Sequence, residues 1–506
     1  MRDKILGIVI LAVCIIVFSS CQFLPHNHEF GEWYTTVAPT CEEAGVEMKE
    51  CSCGEVEERV INAKGHKPSD WVENSGGTRR DIICSDCNEI LKSETLGLDI
   101  TSGIVNGIGS CTELEIYIPE THDGMAVTQI NPSAFKGNTS IIKVVIPESV
   151  NKIGDSAFMN CSALDTVEMS SRIIGSNCFE GCANLVNLTL GEKVSTIGIS
   201  AFKGCSLIRE VKIPDSVTTI RENTFQNCSN LQKIDLGTGV NIICDYAFKD
   251  CASLYEITLS EVTSSIGKYS FAGCKALSNL DAFKNVTKID VYAFQGSGLT
   301  SIVIPEKVTA ISDYTFEGCS NATSLTLHDK VNSLGSYAFA NCTNILSLEL
   351  TSGITTVGSY VFSGCTSLVS LTIPGNIKVI SDYMFYNCKY LVNLTIEEGV
   401  SSIGVYAFAG CNSLSNIAPL PSSLTTIRAR AFEGCTGLTS IDFPATITTV
   451  EESVFRGNSS IVVNCEATER PEGWHYLWNC HHYRIDAWGD VVDVRYIQVV
   501  WGNVEG

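Results

Sequence analysis

Five side chains near the start of the chain could do chemistry that the rest of it does not offer. His28, Cys41, Cys51, Cys53 and His66 fall within "HNHEFGEWYTTVAPTCEEAGVEMKECSCGEVEERVINAKGH". Thiolates and imidazoles are the donors that a structural zinc ion takes in a closed tetrahedron. The segment is poor in apolar residues and so needs a staple to fold. A structural zinc site is the preferred reading of these five residues, with disulfides and unpaired thiols as the alternatives. A second, incomplete copy follows, with Trp71 and the turn Cys84-Ser85-Asp86-Cys87 but without a closing His. Catalytic zinc is not expected, because no H-E-x-x-H or deaminase signature is present.

Beyond that segment the chain offers little to a catalyst. Of its eight His, only His122 and His328 fall among the repeats described next, and neither has a recurring carboxylate or nucleophile in a neighbouring column. No Walker loop, nucleophile elbow or dinucleotide fingerprint occurs, so the chain reads as a non-enzyme. A formal charge of -22 over 506 residues would repel a polyanionic backbone, which argues against nucleic acid as a partner.

The element that positions everything else is a repeat. Phe recurs at 135, 158, 179, 202, 225, 248, 271, 294, 316, 339, 362, 385, 408, 432 and 455, a spacing of 23 with slips to 21, 22 and 24. In "VNKIGDSAFMNCSALDTVEMS" the Leu-x-x-Val-x-Met end alternates as a short strand with one buried face. Ile-Gly-x-x-Ala-Phe reads as a turn and a brief helical segment. So small a unit cannot bury its own apolar face, and stacking parallel strands from successive units builds one core. Three residues after the Phe, twelve units carry Cys and three carry Asn138, Ser297 and Asn458. A column that accepts Ser and Asn does not require disulfide pairing; it reads as a ladder of buried structural thiols. Two residues before the Phe stand Tyr246, Tyr269, Tyr292, Tyr314, Tyr337, Tyr360, Tyr383 and Tyr406, where other units have Ser, Asn or Arg. Those rings are expected to be partly exposed, either stacked on one another or forming a strip that binds a partner. The strand-face columns, with Asn279 and Asp281 among them, are small, polar and mildly acidic.

The pattern L-x-x-L-x-L-P followed by I-x-x-x-A-F-x-x-C resembles the BspA-like branch of the leucine-rich-repeat family, and the match covers about residues 96–465. The resemblance implies an α/β leucine-rich-repeat solenoid of about fifteen 23-residue units with parallel strands and short helical turns. "LEIYIPETHDGMAVTQI" is similar to that family's N-terminal cap, and "CEATERPEGWHYLW" with "VVWG" to its C-terminal cap. The Cys/His segment resembles small modules that precede repeat arrays in bacterial surface proteins, although Cys51-Ser52-Cys53 is one residue shorter than their C-x-x-C. Arg2 and Lys4, the apolar run "ILGIVILAVCIIVF" and "FSSC" resemble a bacterial lipoprotein signal, with Cys21 acylated. The expected organisation is a signal peptide at 1–20, a lipidated linker at 21–27, the Cys/His module at 28–95, the solenoid at 96–465 and a cap at 466–506. The repeats are expected to need no cofactor. The family resemblance implies a monomeric, adhesive protein of the bacterial envelope, anchored by its lipid to the membrane's outer face and binding proteins or glycans; the alternative is a passive spacer of the envelope.

Overall fold

The computed structural model describes residues 29–52, 55–485 and 491–502. The chain divides into two compact units, Met1–Glu94 and Thr95–Gly506. The signal segment, Cys21, His28 and Cys53 lie outside the described residues.

The first unit holds two small sheets. Tyr34–Val37, Gly45–Glu50 and Val56–Ile61 pair antiparallel, and Val72–Glu73, Arg79–Ile83 and Ile90–Thr95 form the second. Each sheet has one tryptophan roofed by cations. Arg59 lies 4.3 Å and Lys49 5.1 Å from the Trp33 ring, while Arg80 lies 4.8 Å and Lys92 5.8 Å from Trp71. Between residues 29 and 94, Cys51 and Cys84 are the sole buried apolar side chains among the described residues.

In the second unit the repeats contribute two parallel strands each, except where the 3-10 turn Asp281–Phe283 takes the place of the longer one. The longer ones, such as Lys143–Ile146, Thr166–Met169 and Asn187–Leu190, pair one repeat apart in register, so that Val144, Val167 and Leu188 line up. Two-residue strands, such as Lys152–Ile153, Ile173–Ile174 and Thr196–Ile197, form the other ladder. The third side is the run around each Phe. There the N–H groups of Ser156, Phe158 and Asn160 each donate at 2.8 Å to carbonyls of the next repeat, while Met159 and Cys161 close turns onto Ser156 and Phe158. Backbone donors are thus satisfied along the stack without a helix.

The brief helical turns expected from the sequence do not form. Among the described residues the helical element is one 3-10 turn, Asp281–Phe283. The reason is the backbone: the residues two before and two after each Phe are left-handed. For Phe158 these are Ser156 and Asn160, with φ 58° and 60°, and for Phe339 they are Tyr337 and Asn341, again 58° and 60°. Two left-handed residues within five end a right-handed helix before it can propagate. The 3-10 turn also displaces Asn279 and Asp281 from the strand face on which the sequence put them. Asn279 Oδ1 accepts the Asp281 N–H at 3.0 Å, and Phe283 enters edge-on at 5.1 Å from both Phe271 and Phe294.

The Phe rings form the spine of the core. Successive rings from Phe135 to Phe455 stack with centroids 4.9 to 5.9 Å apart. Each buried ring contributes about 1.5–3 kcal/mol through area removed from water. At the N-terminal end a hairpin, Thr121–His122 with Met125–Ala126, closes the array. At the other end Trp474 and Trp478 pack with Phe443 and Trp501, and Gln498–Trp501 extends the long ladder beside Val462–Cys465.

Candidate functional site

The eight tyrosines form a second stack beside the Phe spine. Neighbouring rings from Tyr246 to Tyr406 lie 4.3 to 5.1 Å apart and within 16° of parallel. All eight are half-buried. Their faces cover one another, so ring edges and hydroxyls are what the row presents outward. Cations flank the row: Lys249 lies 5.8 Å from the Tyr246 ring and 5.5 Å from the Tyr269 ring, and at the other end Arg430, in the same column as the tyrosines, lies 5.5 Å from Tyr406 and donates to its hydroxyl. Every tyrosine is in the left-handed region, with φ between 54° and 61°. For residues other than Gly, Asn and Asp that conformation costs about 1–2 kcal/mol. A stacked aromatic pair contributes about 0.5–1.5 kcal/mol, so the row offsets its own backbone strain. Burial first, then the neighbouring rings Tyr269 and Tyr314, pushes the Tyr292 hydroxyl up to about 12.

The thiol column has a geometric cause. Each of its Cys donates its S–H to the carbonyl of a Phe in the preceding repeat: Cys161 to Phe135 at 3.1 Å, Cys251 to Phe225 at 3.1 Å, Cys365 to Phe339 at 3.4 Å. Asn458 makes the same bond through Nδ2 to Phe432 at 3.1 Å. Ser297 lies 3.3 Å from the Cys319 sulfur. What the column selects is a small donor. Burial pushes most of these thiols up, Cys228 to about 12, which keeps them protonated and unreactive, whereas its hydrogen bond with Cys182 brings the Cys161 thiol down.

On the long-strand face the outward residues align in register, Ser324 with Ser347, Ser370 and Asn393. Part of this polarity is satisfied internally: Asn393 Nδ2 donates to Ser370 Oγ at 3.1 Å, and Asn416 Nδ2 to Asn393 Oδ1 at 2.9 Å. Beside it Leu346, Val369 and Tyr390 are exposed at 58%, 44% and 63%.

In the first unit the expected metal ligands are redistributed. Cys41 and His66 meet Cys84 and Cys87, and the four donor atoms lie within 4.8 Å of one another. Cys51 stands apart, buried, with its backbone bridged to Phe30. The clasp is built by backbone bonds: Lys64 and Gly65 donate to the carbonyls of Thr40 and Cys41, while Ser85 donates to Lys67. Asn88, with φ 62°, takes the left-handed turn after the Cys84-x-x-Cys87 pair. The sulfurs of Cys41 and Cys84 are 3.8 Å apart, and His66 Nδ1 is 3.5 Å from the Cys87 sulfur. Burial pushes the Cys84 thiol up, but the Asp86 N–H, the His66 ring and the N–H groups of Cys87 and Lys67 together outweigh it and bring it down to about 6. The intact Cys-x-x-Cys spacing of the second copy was the available signal for Cys84 and Cys87, against the shortened Cys51-x-Cys53 of the first.

The description "BspA type Leucine rich repeat region (6 copies)" matches residues 111–232, 172–299, 287–415 and 378–467. No curated protein matches the chain. Among solved structures, a leucine-rich repeat protein from Bacteroides ovatus is 25% identical, with a TM-score of 0.47 over 81% of this chain and 88% of that one. A leucine rich cell surface protein from Faecalibacterium prausnitzii is 25% identical, with a TM-score of 0.42 over 69% and 95%. A leucine-rich repeat protein from Eubacterium ventriosum is 19% identical, with a TM-score of 0.37 over 80% and 97%.

Proposed function

The chain belongs to the BspA-type leucine-rich-repeat family, and we propose that it is a non-catalytic adhesin of the bacterial cell surface, anchored by a lipid on Cys21. Its repeats would bind extended or multivalent partners: host or matrix proteins, other cells or glycans. The observation that carries this reading is the tyrosine row. Eight half-buried rings at 4.3 to 5.1 Å intervals, held in a strained backbone conformation that other repeats fill with Ser or Asn, present a regular line of hydroxyls and ring edges. Such amphipathic, already ordered groups contact a partner at low entropic cost, and repetition multiplies weak contacts into avidity.

The test screens the chain from residue 22 onward, which lacks the acylated cysteine, against glycans and extracellular-matrix proteins. A bound class supports the reading, and replacing Tyr314, Tyr337 and Tyr360 together by Ser should weaken that binding while circular dichroism stays unchanged. Silence across both sets favours a passive spacer of the envelope. Binding that survives the triple change moves the contact to another face.

A further inference from the structure

We infer that Cys41, His66, Cys84 and Cys87 form a zinc site that clasps the two small sheets of the first unit together. Three observations carry the inference. The first is metric. A tetrahedral ion with Zn–S near 2.3 Å and Zn–N near 2.0–2.1 Å sets two sulfurs about 3.8 Å apart and a sulfur and a nitrogen about 3.5 Å apart. The Cys41–Cys84 and His66–Cys87 separations are 3.8 and 3.5 Å. A disulfide would need its sulfurs at about 2.05 Å.

The second is the outer shell. His66 turns Nδ1 inward to the sulfurs and leaves Nε2 facing Glu89 at 3.2 Å and Glu42 at 3.7 Å. A carboxylate behind the distal ring nitrogen fixes the tautomer that frees Nδ1 and strengthens it as a donor, the arrangement found behind metal-bound histidines. The third is the missing core. With Cys51 and Cys84 its sole buried apolar side chains among the described residues, the first unit has too little apolar burial to hold two sheets, and units of this size take a metal instead.

The ligands come from both sequence copies. Cys41 lies between the first two strands of the first sheet, His66 in the connection between the sheets, and Cys84 and Cys87 in the turn between the last two strands of the second. The ion therefore joins turns of two sheets that share no strand, and its capture releases the thiol protons to solvent.

Full-length chain, solubilised in detergent and purified without chelators, should contain one zinc per chain by elemental mass spectrometry. Cobalt substituted into unaltered protein should give the visible d–d bands of a tetrahedral ion with intense sulfur-to-metal charge transfer, a readout that does not depend on any variant folding. Cys84→Ser and Cys87→Ser should each lower the bound metal at least tenfold, and Cys51→Ser should leave it at one. Chelation should abolish hydrogen-exchange protection in residues 29–94 and leave the solenoid unchanged. The inference is overturned by metal-free protein with a Cys41–Cys84 disulfide in peptide maps, by octahedral cobalt spectra, or by zinc that follows Cys51 and ignores Cys84.

Discussion

Replacing Tyr337 by Gly should harm the protein less than replacing it by Ala. Tyr337 sits at φ 58°, with Tyr314 at 4.6 Å on one face and Tyr360 at 4.5 Å on the other. Either substitution deletes both stacked pairs, a loss of about 1–3 kcal/mol. Ala keeps the left-handed strain of about 1–2 kcal/mol, whereas Gly removes it at an entropic cost of roughly 0.5–1 kcal/mol. Gly should therefore be the more stable by about 1 kcal/mol, roughly fivefold in amide protection. The assay is native-state hydrogen exchange, read on the Tyr337 and Phe339 amides, which donate to Ser359 and Val361 of the next repeat at 3.0 Å each. As a control, Thr372, on the outward face of the strand Ser370–Ile373, should rank the two substitutions the other way. Faster exchange in the Gly variant than in the Ala variant at 337 would refute the argument that backbone strain sets the residue choice in this column.

Tyrosinate absorbance should show part of the tyrosines ionising late, with Tyr292 near 12. Its folded value lies above the unfolded value of about 10, so the stability it confers is complete below pH ~10 and is lost as pH rises through 12; denaturation midpoints should fall across that window. Cys365→Asn should keep near-parental stability because an amide can reach the Phe339 carbonyl, whereas Cys365→Val should cost about 0.5–1.5 kcal/mol in chemical denaturation. Thiol reagents should label the Cys column of native protein only at the rate of unfolding. Trp478→Ala, which empties a fully buried site in the C-terminal cap, should cost about 3–5 kcal/mol and unprotect the last repeats while leaving the first ones unchanged in hydrogen exchange.

The array was legible because its information is one-dimensional. A 23-residue period with Phe, Cys and Leu in fixed columns states which residues are inward, and in a stack the inward residues of one repeat can only meet their counterparts in the next. From the columns alone it also followed that Cys pairs are not required and that Tyr is a surface or stacking choice. What the columns do not carry is the backbone conformation between them. Ile-Gly-x-x-Ala-Phe has the spacing of a helical turn, yet left-handed residues at both sides of the Phe send alternate N–H groups to the next repeat. That preference belongs to the neighbouring repeat, which supplies the acceptors, and no single unit contains it. The grouping of the Cys and His donors in the first unit failed to read out for a related reason. Grouping by copy kept Cys51 with Cys41 and His66, while folding pairs the end of the first copy with the Cys-x-x-Cys turn of the second. The sequence determined which donors exist and how the repeats register; the tertiary structure alone decided which donors meet, because that depends on how two sheets with almost no shared core come together in space.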